Sequence, residues 1–248
     1  MQGTAIKWRG IGKSVALVPT MGALHDGHLN LIKTARKKAD IMVVSIYVNP
    51  SQFGPSEDLA NYPRPFTKDS ALCRKAGVDV IFNPLNLYAP DHSTWVTEES
   101  ISQGRCGDSR PGHFRGVATV VTKLFNLIQP TYAYFGWKDA QQVGVVQRLV
   151  RDLNLATKVI PIETVRDRDG LALSSRNQYL SPQDREYALA LPLLLHAAVL
   201  QRNPVKWLSR YLEKSPGIRV DYVELAQGRL CAAIWVGKTR LIDNIPCP

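Results

Sequence analysis

The sequence predicts an α/β protein in which a doubly wound parallel sheet is followed by a smaller C-terminal α+β unit. Short apolar runs alternate with stretches of helical periodicity through the first two thirds of the chain. The run 41–48 (IMVVSIYV) is apolar and β-branched almost throughout, as a parallel strand covered on both faces must be. Near residue 164 the sequence becomes rich in Arg and Asp and is punctuated by Pro. The alternation builds a layered βαβ sheet, and the change of character marks where it ends.

In order, residues 14–20 (SVALVPT) form a first strand, a Gly-containing turn follows, and 29–39 carry apolar residues at helical spacing. The second strand is 41–48. A helix over 66–76 leads to a third strand at 78–83, and helices over 117–128 and 141–153 alternate with strands at 131–136 and 158–162. The division into domains falls at 1–164 and 165–248. In the second domain VRDRDG is a loop, SSRN a polar turn, and Ser181-Pro182 opens a helix. Residues 187–200 form the densest apolar stretch, broken by Pro192 and His196. It falls short of the roughly 20 residues of a membrane span and reads as a buried helix, with a further break at Pro204. Strands over 219–225 and 230–236, joined by Ala226-Gln227-Gly228-Arg229, make a hairpin.

With 248 residues, 45% hydrophobic and 21% charged, the chain has the composition of a folded domain pair rather than a disordered or fibrous protein. Lys plus Arg number 31 against 21 Asp plus Glu, a balance that suits acidic partners. The basic residues are dispersed and form no stripe interleaved with aromatics, which argues against a nucleic-acid reader. Cys73, Cys106, Cys231 and Cys247 make no CxxC pair, so they read as reduced packing residues. Residues 1–10 hold no apolar signal region, and the expected location is cytoplasmic.

The first chemical motif is HxGH, His25 to His28, where the first strand passes into the first helix. Open α/β sheets bind ligands at that carboxyl edge, and a helix N-terminus offers unpaired N–H groups to phosphate. Taken alone, HxGH is equally compatible with histidines that merely cap a helix. A second motif is Leu173-Ser174-Ser175-Arg176-Asn177, whose hydroxyls and guanidinium suit phosphate oxygens but also compose an ordinary turn. The third, FGWKDAQQ, again leaves a strand for a helix and places Lys138 on the same edge as HxGH.

Together VPTMGALHDGH, SIYVNPSQFGPSEDLANYPR, SRPGHFRGVATVVTKLFNLIQP, FGWKDAQQ, DGLALSSRNQYLS and the late RLIDN resemble one family. They are similar to the pantothenate synthetases, the pantoate–β-alanine ligases of the HxGH nucleotidyltransferase superfamily. The resemblance implies a Rossmann-like fold of that type with the C-terminal unit as a lid, and a two-step ligation. Pantoate carboxylate attacks the α-phosphorus of ATP to give a pantoyl adenylate and pyrophosphate, and the amine of β-alanine then displaces AMP. The first nucleophile is already an anion, so no Ser, Cys or triad is required and catalysis is positioning with charge neutralisation.

By the same resemblance Met21, Gly22, Ala23, Leu24, His25, Asp26, Gly27 and His28 form the ATP loop, with His25 and His28 on the phosphates and His28 suited to proton transfer. Lys138 and Arg176, with Ser174 and Ser175, stabilise the departing pyrophosphate; Gly136, Trp137, Asp139, Val165 and Leu173 complete the nucleotide contacts. Gln52 serves pantoate and β-alanine, Gln142 serves pantoate, and Arg110 and His113 edge the site. ATP is the co-substrate, and Mg²⁺ is implied by its phosphates, with Asp69 the one carboxylate weighed as a protein ligand. A homodimer without nucleic-acid or membrane partners is expected.

The chain departs from the family pattern in several places. Trp137 stands where Glu is usual, Ala140 where an aromatic is common, and Lys68 where several relatives carry an acid. Only fourteen residues precede Val15, where the family has a strand and a helix, and the stretch between Asp221 and RLIDN is short. Two alternatives follow: another HxGH nucleotidyltransferase acting on a phosphorylated acceptor, or a relative that binds nucleotide without turnover. The Gln52 and Gln142 amides favour a neutral polyol acid over a phosphorylated acceptor.

Overall fold

The computed structural model describes residues 1–55, 57 and 59–247. By its contacts the chain forms two units, one of residues 1–136 and 141–162, the other of 137–140 and 163–248. The expected division after residue 164 falls two residues beyond the change of unit at Ile162 and lacks the excursion of 137–140.

The first unit holds helix α1 (Gln2–Gly10), strand β1 (Val15–Thr20), α2 (Asp26–Arg36), β2 (Ile41–Ile46), α3 (Phe66–Lys75), β3 (Val80–Phe82), α4 (Arg105–Ser109), α5 (His113–Ile128), β4 (Tyr132–Gly136), α6 (Ala140–Asp152) and β5 (Lys158–Ile162). The five strands pair in parallel in the order β3-β2-β1-β4-β5. This is the doubly wound sheet that the strand and helix alternation predicts. Strands β1 and β2 are buried along almost their whole length, which is why their sequences run apolar without alternation. Ala16, Val18, Met42 and Val44 share a core with Leu31, Ile32 and Ala35 of α2 and Cys73 of α3. The order reverses between β1 and β4, and the crevice outside the carboxyl ends of those strands is where such sheets take ligands.

Several boundaries differ from the sequence reading. The segment before Val15 forms α1, whose single buried residue, Ala5, gives no periodic signal. Helix α2 begins at Asp26, three residues before the apolar repeat, so Gly27 and His28 lie in its first turn. Helix α5 begins at His113 rather than 117, because Gly112 in a left-handed conformation starts it and Gly116 sits inside it.

The second unit holds α7 (Pro182–Ala188), α8 (Ala190–Ala198), α9 (Pro204–Glu213), and the antiparallel sheet β6 (Ile218–Ala226), β7 (Arg229–Val236) and β8 (Thr239–Pro246). Leu191, Leu195, Leu208 and Leu212 pack with Leu230, Ile234 and Leu241 to form its core. Ser181 caps α7 as expected, its Oγ accepting from Asp184 N at 3.1 Å. The prolines read as breaks are starts instead. Pro204 is the first residue of α9, with Asn203 Oδ1 accepting from Lys206 N, and Pro192 lies in the first turn of α8, where its missing N–H is not needed. Gln227 and Gly228, at φ 55° and 67°, turn the predicted hairpin tightly, as a type I′ turn requires. A third strand, β8, has no counterpart in the sequence reading, and it carries RLIDN.

Among the described residues no helix is long and apolar enough to cross a membrane. The four cysteines are buried.

Candidate active site

The loop between β1 and α2 is built to a fixed shape. Gly22 and Ala23 both take the left-handed conformation, at φ 86° and 52°. For alanine this costs about 1–2 kcal/mol. Asp69 of α3, only 1% exposed, accepts from Ala23 N and Leu24 N, both at 2.8 Å. Two hydrogen bonds to a charged acceptor contribute about 1.5–3 kcal/mol each, which outweighs the strain. Thr20 Oγ1 adds a second anchor, donating to Ser45 O and accepting from Gly22 N. The carboxylate weighed as a magnesium ligand therefore clamps the loop, with each oxygen on a backbone donor. Beside it, burial and the Asp69 charge push the Cys73 thiol up to about 11, so it stays protonated.

His25 is the N-cap of α2. Its Nδ1 accepts from Gly27 N at 3.1 Å, and the Nδ1 of His28 accepts in return from His25 N at 3.3 Å. The rings lie 4.1 Å apart between centroids. An Nδ1 that accepts carries no proton, so each neutral ring bears its N–H on Nε2, an assignment that follows from the hydrogen-bond network. The caps thus fix two imidazoles in the tautomer that donates through the outer nitrogen. The capping that the sequence posed as an alternative to phosphate binding engages the Nδ1 nitrogen of each ring.

Gln52 lies at the end of a 3-10 turn, Pro50–Gln52, and is 8% exposed. Its Nε2 donates to Met21 Sδ at 3.1 Å, and its Oε1 accepts from Asn49 Nδ2 at 3.0 Å, so it touches the loop between β1 and α2 directly. His113 Nδ1 donates to Gln52 O at 2.8 Å, and His113 Nε2 meets Arg110 Nη1 at 2.9 Å. Arg110 forks onto Glu57 at 2.8 and 2.6 Å. Arg110 and His113 thereby brace the Gln52 turn from its backbone side. Asn49, which the sequence did not single out, is 1% exposed and also donates to Gly116 O while its Oδ1 accepts from Ser51 Oγ and Tyr88 Oη. Burial raises the Tyr88 phenol above its ordinary value and keeps it a donor.

Of the two glutamines that open α6, Gln142 is half-buried, whereas Gln141 is 5% exposed and fully engaged. Gln141 Oε1 accepts from Cys106 N, and Nε2 donates to Ile101 O, Gln103 O and Gly104 O, all within 3.1 Å. Gln141 shapes the 101–106 loop.

In the second unit Trp137–Asp139 forms a 3-10 turn directly after Gly136, the last residue of β4. Lys138 is 19% exposed in its side chain, and its Nζ lies 3.8 Å from Asp139 Oδ1. The Trp137 ring lies under the Arg229 guanidinium at 4.7 Å, which gives this departure from the family pattern a packing role. Val165 O accepts from Leu173 N at 3.0 Å, joining two of the expected nucleotide contacts. Arg166, next in sequence, forks onto buried Asp243 at 2.6 and 3.0 Å and donates to Gly170 O. Ser174 Oγ caps the 3-10 turn Ser175–Tyr179 by accepting from Arg176 N, and Asn177 Nδ2 ties the turn to Ala172 O. Arg176 is exposed.

The expected residues thus fall into two sets. Residues 21–28, Gln52, Asp69, Arg110, His113, Gly136 and Gln142 belong to the first unit; Trp137, Lys138, Asp139, Val165 and Leu173 to Arg176 belong to the second.

Comparison with known proteins follows the same lines. The family model described as Pantoate-beta-alanine ligase matches residues 1–246. The pantothenate synthetase of Moorella thermoacetica is 48% identical over 261 residues, covering 94% of this chain and 91% of its own length. That of Pseudothermotoga lettingae is 49% identical over 255 residues, with the same shares. The crystal structure of pantothenate synthetase from Thermus thermophilus matches with a TM-score of 0.90 at 41% identity, covering 98% of this chain and 97% of that one. The pantoate-beta-alanine ligase from Francisella tularensis, complexed with Beta-gamma ATP and beta-alanine, matches with a TM-score of 0.86 at 35% identity, covering 98% and 95%.

Proposed function

The chain belongs to the pantoate-β-alanine ligase family, and from that premise we propose how its residues divide the work. It is an ATP-dependent ligase that joins pantoate to β-alanine. In the proposed sequence a carboxylate oxygen of pantoate bonds to the α-phosphorus of ATP as the bond to the pyrophosphate oxygen breaks. The free amine of β-alanine then bonds to the acyl carbon, and AMP departs with the original carboxylate oxygen.

Residues 21–28 are assigned to ATP, with the Nε2–H groups of His25 and His28 donating to phosphate oxygens and His28 placed to pass a proton. Lys138 and Arg176, with Ser174 and Ser175, neutralise charge growing on pyrophosphate, an interaction stronger in the transition state than in the ground state. Gly136, Trp137, Asp139, Val165 and Leu173 complete the nucleotide contacts. Gln52 is assigned to pantoate and β-alanine and Gln142 to pantoate.

Mg²⁺ is assigned to the ATP phosphates rather than to a protein ligand set. Both Asp69 oxygens accept from backbone donors, so this carboxylate is given to the loop. Mg²⁺ ordinarily keeps several waters and leans on substrate phosphates, and there it would screen their charge. Domains of about 1–164 and 165–248, the second acting as a lid, a homodimeric assembly and a cytoplasmic location complete the reading.

The observation that carries it is the Asp69-clamped loop, in which reciprocal caps through Nδ1 fix two imidazoles in the turn that follows β1, at the switch point of the sheet. The test is nucleotide analysis with each organic substrate omitted in turn. ATP with pantoate alone should release at most one equivalent of pyrophosphate per site, with continuous AMP formation only after β-alanine is added. Turnover without pantoate, or ADP as the product, overturns the assignment.

A further inference from the structure

The Lys138 turn is held through its backbone carbonyls. Asn244 of β8, 3% exposed, donates Nδ2 to Trp137 O at 2.8 Å and to Lys138 O at 3.1 Å. The Oδ1 of the same amide accepts from Arg229 Nε, so the amide has one orientation that satisfies all three partners. Arg229 is itself 5% exposed and fixed by a fork onto Glu163 at 3.2 and 2.9 Å and by the Trp137 ring. On the neighbouring position of β8, Asp243 takes the Arg166 fork beside Val165. Two adjacent residues of one strand therefore grip the lysine turn and the Val165 segment, all within the second unit.

We propose that Asn244 is a positioning residue for Lys138: by holding the carbonyls of residues 137 and 138 it sets the direction in which the ammonium leaves the backbone. Arg229 and Glu163 keep the amide turned with its donors toward those carbonyls. Asn244 touches no substrate in this scheme, and its effect passes through the lysine. The proposal rests on the assignment of Lys138 to the phosphates of ATP.

Asn244→Asp isolates the effect. It keeps the shape and an acceptor for Arg229 but turns a carboxylate oxygen, in place of two N–H donors, toward two carbonyls. The rate of pyrophosphate release should fall about 100-fold, the loss that a misplacement near 1 Å produces. The KM for ATP should move by less than about threefold, because the lysine acts mainly on charge that develops in the transition state. The decisive measurement is a double-mutant cycle with Lys138→Ala, read as single-turnover pyrophosphate release with enzyme in excess over labelled ATP. Adding Asn244→Asp to Lys138→Ala should cost nothing further.

If Lys138→Ala alone keeps the normal rate, the phosphate assignment fails and the proposal falls with it. If Lys138→Ala is slow but Asn244→Asp is near normal, or the two losses multiply, the assignment stands and the proposal alone is overturned. Circular dichroism and thermal melting check that each variant is folded. Asn244→Ala, which removes the same donors without adding a charge, is read in the same cycle should the Asp variant not fold.

Discussion

In the proposed scheme His28 has two tasks on two nitrogens, and they can be separated by experiment. Its Nδ1 accepts from His25 N, a cap worth about 1 kcal/mol, and its Nε2–H is assigned to phosphate. His28→Ala should therefore lower the melting temperature by only about 2–4 °C, the shift that a loss of that size gives in a protein of this length. The rate of pyrophosphate release should fall about 10²- to 10³-fold, as when one preorganised donor to developing charge is removed. Lys138→Ala should show a similar rate loss with a smaller thermal effect, its side chain being partly exposed. Stopped-flow detection of pyrophosphate beside a melting curve reads both, and near-normal turnover in either variant refutes its role. At this scale the place of HxGH at a helix start was legible in the sequence, whereas the motif alone left capping and ligand binding equally open and only the accompanying motifs favoured a ligand. The service of Asp69 was not legible. Nothing in KDS, 45 residues further on, says that this carboxylate meets Ala23 N and Leu24 N.

Among the elements, the close approach of α5 to the Gln52 turn sets the geometry of the segment proposed to hold pantoate. A Cβ at Gly116 would stand 2.2 Å from Ser51 O and 2.6 Å from Gln52 N, backbone atoms that cannot swing aside. Gly116→Ala should destabilise the protein by about 1–3 kcal/mol, the usual cost of overpacking. It should also raise the KM for pantoate more than that for ATP, since the displaced turn carries Gln52. Denaturant unfolding with substrate-saturation curves checks this, and a KM effect confined to ATP contradicts it. The parallel strands were readable because burial on both faces leaves an uninterrupted apolar run. Strand β8 was not, because Asp243 and Asn244 interrupt its alternation, and their buried polarity makes sense only beside Arg166 and Arg229. Gln141 and Gln142 show the same limit: identical neighbours in sequence, one is consumed by the 101–106 loop and the other is not.

For the whole molecule, the net charge of +10 suits a reaction in which ATP, pantoate and the pyrophosphate leaving group are anions. The fold class and the family were legible because the motifs lie in order along most of the chain. The membership of residues 137–140 in the second unit was not, since it arises from contacts with β8 made more than 100 residues later. Homodimerisation, expected from the family, should appear as a mass near twice 27.6 kDa in sedimentation equilibrium; a monomer across the accessible concentration range ends that expectation. The central claim is that the carboxylate of pantoate attacks the α-phosphorus of ATP. Its most direct test is turnover of pantoate labelled with ¹⁸O in the carboxylate, followed by mass spectrometry of the products. One labelled oxygen should appear in AMP and none in pyrophosphate; label in inorganic phosphate or pyrophosphate, or AMP free of label, contradicts the account.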